Sequence, residues 1–223
     1  MLYTASTWII PALLAITLHE AAHGYAALYF GDPTAKEQGR ISLNPFRHVE
    51  TMGTIVLPAL LILTRAPFVF GWAKPVPVNF GRLRNPKRDM VWVAAAGPAV
   101  NLFLALVSAR LMHMLPHLPE ASADWTFETL RNSLFLNVIL FVFNLIPLPP
   151  LDGGRIAVGL LPTGPAMRLA RLEKYGMLIL IGALFILPLI GSMVGVPMQP
   201  FSWVVLPIVE AVISGIVAVA GLI

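Results

Sequence analysis

The hydrophobic positions of this chain fall into blocks rather than into an amphipathic stripe. Apolar residues run with few interruptions from about Thr7 to Phe30, Met90 to Leu111, Leu130 to Ile146, Met177 to Val194 and Trp203 to Ile223. A helix needs about 20 such residues to cross the hydrocarbon of a bilayer, so the blocks predict five transmembrane helices. Gly31-Asp32-Pro33 stops the first by flexibility and ring geometry, and Pro147-Leu148-Pro149-Pro150 breaks the third. A sixth apolar stretch, Thr51 to Thr64, is short, contains Gly53 and Pro58, and meets Arg65-Ala66-Pro67 before a second short piece, Phe68 to Ala73. That length predicts a re-entrant hairpin, with a sixth transmembrane helix as the alternative. Lys36 to Glu50 reads as a short hairpin or loop, Lys74 to Asn79 as a segment held extended by alternate prolines, and His113 to Thr129 as a polar, acidic connection.

Composition agrees with the pattern. Hydrophobic residues make up 57% of the 223 positions, charged residues 12%, and the mean hydropathy is +0.80. The charged share is half the globular average of roughly 25%. The expectation is an all-α polytopic membrane protein forming one membrane-embedded domain over residues 1–223, its core at about 7–160 and accessory helices at about 177–223. Short extended or β elements are expected near the site described below. The net charge of +4 and pI near 9.8 do not indicate nucleic acid, because the basic residues cluster between apolar blocks and report topology. If residues 51–73 dip in and return, all Lys and Arg except Arg110 and Arg131 fall on one side; if they cross, the split is far more even. The first arrangement predicts an outside N-terminus, an inside C-terminus and a cytoplasmic connector around Asp152, in what reads as a prokaryotic cytoplasmic membrane. With no Lys or Arg before Lys36 and no small-residue cleavage site, the first block reads as a retained helix. The absence of cysteine excludes thiolate metal sites and leaves His, Asp and Glu as candidate ligands.

Against that background one stretch stands out, His19-Glu20-Ala21-Ala22-His23. Residues four apart share a helix face one turn apart, so His19 and His23 can hold one metal ion while Glu20 beside them serves as the base for a water. Ionisable groups within a membrane-length apolar block are functional candidates by default, because unpaired charge in lipid is costly. A catalytic zinc usually has three protein ligands. Asp152, after a proline-broken helix end and followed by Gly153-Gly154, is the best third candidate, an N-cap role for the next helix being the other reading.

Taken together, His19 to His23 and Asn144-Leu145-Ile146-Pro147-Leu148-Pro149-Pro150-Leu151-Asp152-Gly153-Gly154 resemble the site-2 protease family of intramembrane zinc metalloproteases. Ala96-Gly97-Pro98 through Asn101 on the intervening block is similar to the family as well, and the likeness spans roughly residues 7–160. The resemblance implies one zinc ion held by His19, His23 and Asp152, with Glu20 as general base and acid. It implies that Asn144 holds the scissile carbonyl or its oxyanion, and that an extended element, Lys36 to Asn44 or Lys74 to Asn79, pairs with unwound substrate. The partners implied are a transmembrane protein substrate and the lipid bilayer, with self-association of the chain open. The length leaves no room for a PDZ or CBS domain, and the insertion between the first motif and Gly97 is long.

Other polar residues admit two readings each. Asn101 and His48 are candidate substrate contacts, His48 otherwise being an interfacial loop residue. Asn101 and Asn137 can equally bridge helices. Glu210 lies in the last block with no evident cationic partner. The competing function is a metal-ion or proton transporter using the same His, Asp and Glu cluster, which gives Glu20 no distinct task.

Overall fold

The computed structural model describes residues 2–64 and 71–222. The helices are α1 (Leu2–Tyr29), α2 (Thr34–Glu37), α3 (Leu57–Leu63), α4 (Pro86–Leu111), α5 (Glu120–Asn144), α6 (Asp152–Leu160), α7 (Thr163–Ala170), α8 (Glu173–Ile181), α9 (Leu187–Val194) and α10 (Leu206–Ala220). Five helical stretches are long and apolar enough to cross a membrane: Tyr3–Tyr29, Pro86–His117, Glu120–Asn144, Glu173–Val194 and Phe201–Ala220. They coincide with the five apolar blocks, and the protein is an all-α, polytopic integral membrane protein.

α4 is the central element, packed against α1, α5 and α6, while α1 also meets α5. Small residues permit these approaches: Ala15, Ala21 and Ala27 on α1 are buried, as are Ala94, Gly97, Ala105 and Ala109 on α4. Helix packing in a membrane gains from close van der Waals contact rather than from hydrophobic burial, so such residues belong at the seams. α10 adds Val209 and Ile216, and the turn just before it Val205, to a cluster with Leu134, Val138 and Val142 of α5.

Two features differ from expectation. α5 begins at Glu120, about ten residues before its apolar block. Its polar first turns, Glu120 to Thr129, are held by a tertiary contact rather than by propensity: Trp125 Nε1 donates to Ser6 Oγ of α1 at 2.9 Å, docking them on the neighbouring helix. No β element forms among the described residues. Pro75 and Pro77 remove two donors from residues 71–79, and side chains take the polar groups a ladder would use, as set out below.

The apolar stretch Thr51–Leu63 is helical, a π-type turn over Thr51–Val56 leading into α3, and is too short to span. Trp72 packs on Gly53, where a Cβ would meet the indole ring at 2.5 Å, and Trp72 N donates to Gly53 O at 3.2 Å. The expected hairpin turn and the first half of its second limb lie at residues 65–70, outside the described residues.

Candidate metal centre

α1 presents His19 and His23 one turn apart, both on its buried side. Their Nε2 atoms lie 3.1 Å from each other. Asp152, the first residue of α6, directs Oδ2 to 3.3 Å from His19 Nε2 and 3.4 Å from His23 Nε2. Metal bonds of about 2.0–2.1 Å in a tetrahedron place neighbouring donors roughly 3.3–3.4 Å apart, so the triangle fits one tetrahedral ion, and two imidazoles with a carboxylate suit zinc. Asp152 Oδ2 is buried with no hydrogen-bond partner, an orphaned acceptor that a cation would satisfy. The N-cap alternative for Asp152 is not realised: Leu151 occupies that position, and no side-chain cap bond is made.

The far side of each imidazole is tied down. His23 Nδ1 donates to the carbonyl of Val93 at 2.8 Å, and His19 Nδ1 donates to Asn101 Oδ1 at 2.6 Å. Asn101 is fully buried, and its Nδ2 is turned to Asn137 Oδ1 at 2.9 Å and Ala15 O at 3.4 Å, leaving Oδ1 for His19. Asn137 in turn donates to Ser133 O at 2.9 Å. These bonds place the proton on Nδ1 of both rings and keep both Nε2 lone pairs free for a metal. Replacing Asn101 with Leu is therefore expected to weaken metal binding by about 10–100-fold, measured by chelator competition, while the protein still inserts and folds.

Backbone fit is as tight as side-chain fit. A Cβ at Gly97 would stand 2.7 Å from His19 Nε2 and would collide with His23 Nε2. Gly153 and Gly154 let the start of α6 lie on the turn after α5, where added Cβ atoms would strike the carbonyl of Leu145 and the backbone at Leu148–Pro149. These contacts carry Asp152 to the histidines.

Glu20 follows His19 on α1 and is half-buried. Its Oε2 accepts the N–H of Val76 at 2.7 Å. The segment carrying Val76 is pinned on both sides: Arg40 donates to Lys74 O at 3.0 Å and Pro75 O at 3.3 Å, and Asn79 N donates to Asp32 Oδ2 at 2.6 Å. Asp32 is fully buried just beyond α1 and also accepts from Thr34 N and Thr34 Oγ1. Burial alone would raise its pKa; the bonds from Thr34 and Asn79 outweigh that and hold it below the usual carboxylate range. Both candidate extended stretches reach this part of α1, since a Cβ at Gly24 would lie 3.0 Å from Ile41 and 3.2 Å from Val76. Only Lys74 to Asn79 bonds to Glu20.

The remaining candidates make bonds of their own. Asn144 ends α5 half-buried, its amide donating to Leu140 O at 3.0 Å. His48 is buried beside the 71–79 segment, its Nε2 2.8 Å from Ser42 O and its carbonyl accepting Lys74 N at 2.8 Å. The Val76 contact with Glu20 had no residue-type signal in the sequence, whereas Asn101 stood out as an amide in an apolar block at the end of the Ala96 to Asn101 stretch, although its bond to His19 did not.

Comparison with known proteins returns the same chemistry. The model of peptidase family M50 matches residues 109–189, which include Asn144 and Asp152. "Putative zinc metalloprotease YwhC" of Bacillus subtilis (strain 168) is 42% identical over 195 residues, covering 85% of this chain and 84% of the relative. "Putative zinc metalloprotease Rip2" of Mycolicibacterium smegmatis is 31% identical over 76% of this chain and 62% of its own length. Its namesake in Mycobacterium tuberculosis H37Rv is 32% identical over 63% of this chain and 52% of its own. No solved structure matches.

Proposed function

The chain belongs to peptidase family M50 and is a membrane peptide hydrolase, and on that premise we propose that it is an intramembrane zinc endopeptidase cutting peptide bonds in or near transmembrane segments of other proteins. The observation that carries the reading is the triangle of His19 Nε2, His23 Nε2 and Asp152 Oδ2, with edges of 3.1–3.4 Å, next to a carboxylate held by a backbone N–H. A transporter would need the three donors but has no use for Glu20 fixed beside them.

His19, His23 and Asp152 would hold the zinc. When bound, the metal supplies Lewis acidity, making a water acidic near neutral pH and polarising a carbonyl. Glu20 takes the proton from the attacking water and returns it to the nitrogen of the leaving peptide, the Val76 N–H keeping its carboxylate in position between the two transfers. Asn144 turns its amide from Leu140 to the oxygen of the bond being cut, where negative charge gathers. A helical peptide bond is shielded by its own hydrogen bonds, so the substrate has to unwind locally, and Gly, Pro or Asn near the cleaved bond makes this easier. The test is cleavage of single-span proteins by the zinc-loaded chain in liposomes. Chelator-sensitive fragments ending within the span are expected, in larger yield when Gly or Pro is placed near the cut. Zinc accumulation in the liposomes without peptide products would establish the transporter instead.

The charge asymmetry supports a topology in which residues 51–73 re-enter and the metal centre opens toward the cytoplasm. With no native cysteine, Lys87→Cys and Thr126→Cys are expected to react with an impermeant thiol reagent from opposite sides of the membrane. Labelling of both from one side would overturn the topology.

A further inference from the structure

A chain of buried amides runs from α5 to the metal centre. Asn137 on α5 and Asn101 on α4 are both buried, and their side chains meet at 2.9 Å, Asn101 Nδ2 donating to Asn137 Oδ1. A carboxamide carries a donor on one arm and an acceptor on the other, so the arm that faces a neighbour decides what that neighbour must offer. The sense of this chain is set at its far end. Ser133 O, a main-chain carbonyl one turn before Asn137, can only accept, and it takes Asn137 Nδ2 at 2.9 Å. Asn137 therefore turns Oδ1 toward α4, Asn101 answers it with Nδ2, and Asn101 Oδ1 is left facing His19 Nδ1 at 2.6 Å.

The reverse setting of Asn101 would disable the site. Its amino group would face His19 Nδ1, drawing the lone pair there and sending the proton to Nε2, the atom 3.3 Å from Asp152 Oδ2 that a metal needs unprotonated. The other acceptor on Asn101 Nδ2, Ala15 O, lies at 3.4 Å, beyond the usual range of about 2.7–3.2 Å, and holds that arm weakly. We propose that Asn137 is a positioning residue of the metal centre: through Asn101 it fixes the His19 tautomer that leaves Nε2 free for zinc. α5 thereby acts on an ion whose three candidate donors lie on α1 and α6. A plain helix bridge is available on the same helix for contrast. Asn132, also buried, donates to Thr7 O of α1 at 3.2 Å, joining the two helices about 18 Å of helix before His19.

Chelator competition on the purified full chain tests this role. Asn137→Leu is expected to weaken zinc binding about tenfold, and Asn132→Leu, which removes a helix bridge of the same kind, to leave it within about twofold of the native value. Asn101→Asp supplies a background in which orientation no longer matters. Both oxygens of a carboxylate accept, so adding Asn137→Leu to Asn101→Asp should cost no further affinity. Equal losses in Asn132→Leu and Asn137→Leu would overturn the proposal and leave Asn137 a helix bridge. An undiminished loss in the Asp background would overturn it too, as would no loss in the native one. Asn137→Ala, which removes the amide without adding bulk, carries the same comparisons where the Leu variant fails to insert. The role presupposes the zinc site, and the two fail separately: a native chain that binds no zinc overturns the site and the role together, whereas zinc binding indifferent to Asn137 overturns the role alone.

Discussion

Exchange of Glu20 for Gln is expected to abolish peptide hydrolysis while the protein keeps its metal. Glu20 is separated from the three donors in role although it adjoins His19 in sequence: its Oε2 accepts the Val76 N–H at 2.7 Å, and it is not a member of the metal-binding group. Gln preserves an oxygen that can accept the same N–H, so packing and position are retained and only the proton-accepting capacity is lost. A positioned general base contributes about 10²–10⁴-fold, so turnover should fall by at least about a hundredfold. Fragment yield and zinc content measured on the same preparation separate the outcomes. Loss of zinc with loss of activity would make Glu20 a ligand, and retention of both would remove it from the reaction.

Gly97→Ala should do the reverse and weaken the metal site without touching a ligand. An added Cβ would lie 2.6 Å from His19 Cε1 and 2.7 Å from His19 Nε2, and would press on His23 Nε2 as well. Neither ring can step aside freely, because Asn101 and Val93 hold their Nδ1 atoms at 2.6 and 2.8 Å. Overpacking of this kind typically costs about 1–3 kcal/mol. Here the displaced atoms are the donors themselves, so zinc affinity should fall by about 10–100-fold or more. Chelator competition checks this, and unchanged affinity would show that the rings relax along an unconstrained direction.

What the sequence made legible follows from physics that acts locally. Hydropathy located the five long helices because crossing a bilayer demands a length of apolar chain, and the i, i+4 histidines could be read because helical spacing alone brings them together. Asp152 was within reach because a carboxylate after a proline break in a membrane protein needs a partner. The start of α5 was misplaced because Glu120 to Thr129 is polar yet helical, held by Trp125 on Ser6, a contact between residues 119 positions apart. The Glu20 to Val76 bond, 56 positions apart, was illegible for a related reason: it uses a backbone N–H, which every residue other than proline has, so no residue type announces it. Of the extended or β elements expected near the site, residues 71–79 lie beside Glu20 without joining a ladder among the described residues, because prolines and the side chains of Glu20, Asp32 and Arg40 claim their polar groups.

The most direct test of the metal centre is the zinc content of the chain purified from membranes, measured for the native sequence and for His23→Ala, Asp152→Ala and His48→Ala. One zinc per native chain is expected, lost with His23→Ala and Asp152→Ala and kept with His48→Ala, whose ring bonds to Ser42 O away from the three donors. Zinc retained in full by Asp152→Ala would contradict the site, because the buried Oδ2 that closes the triangle would then have no part in holding the ion.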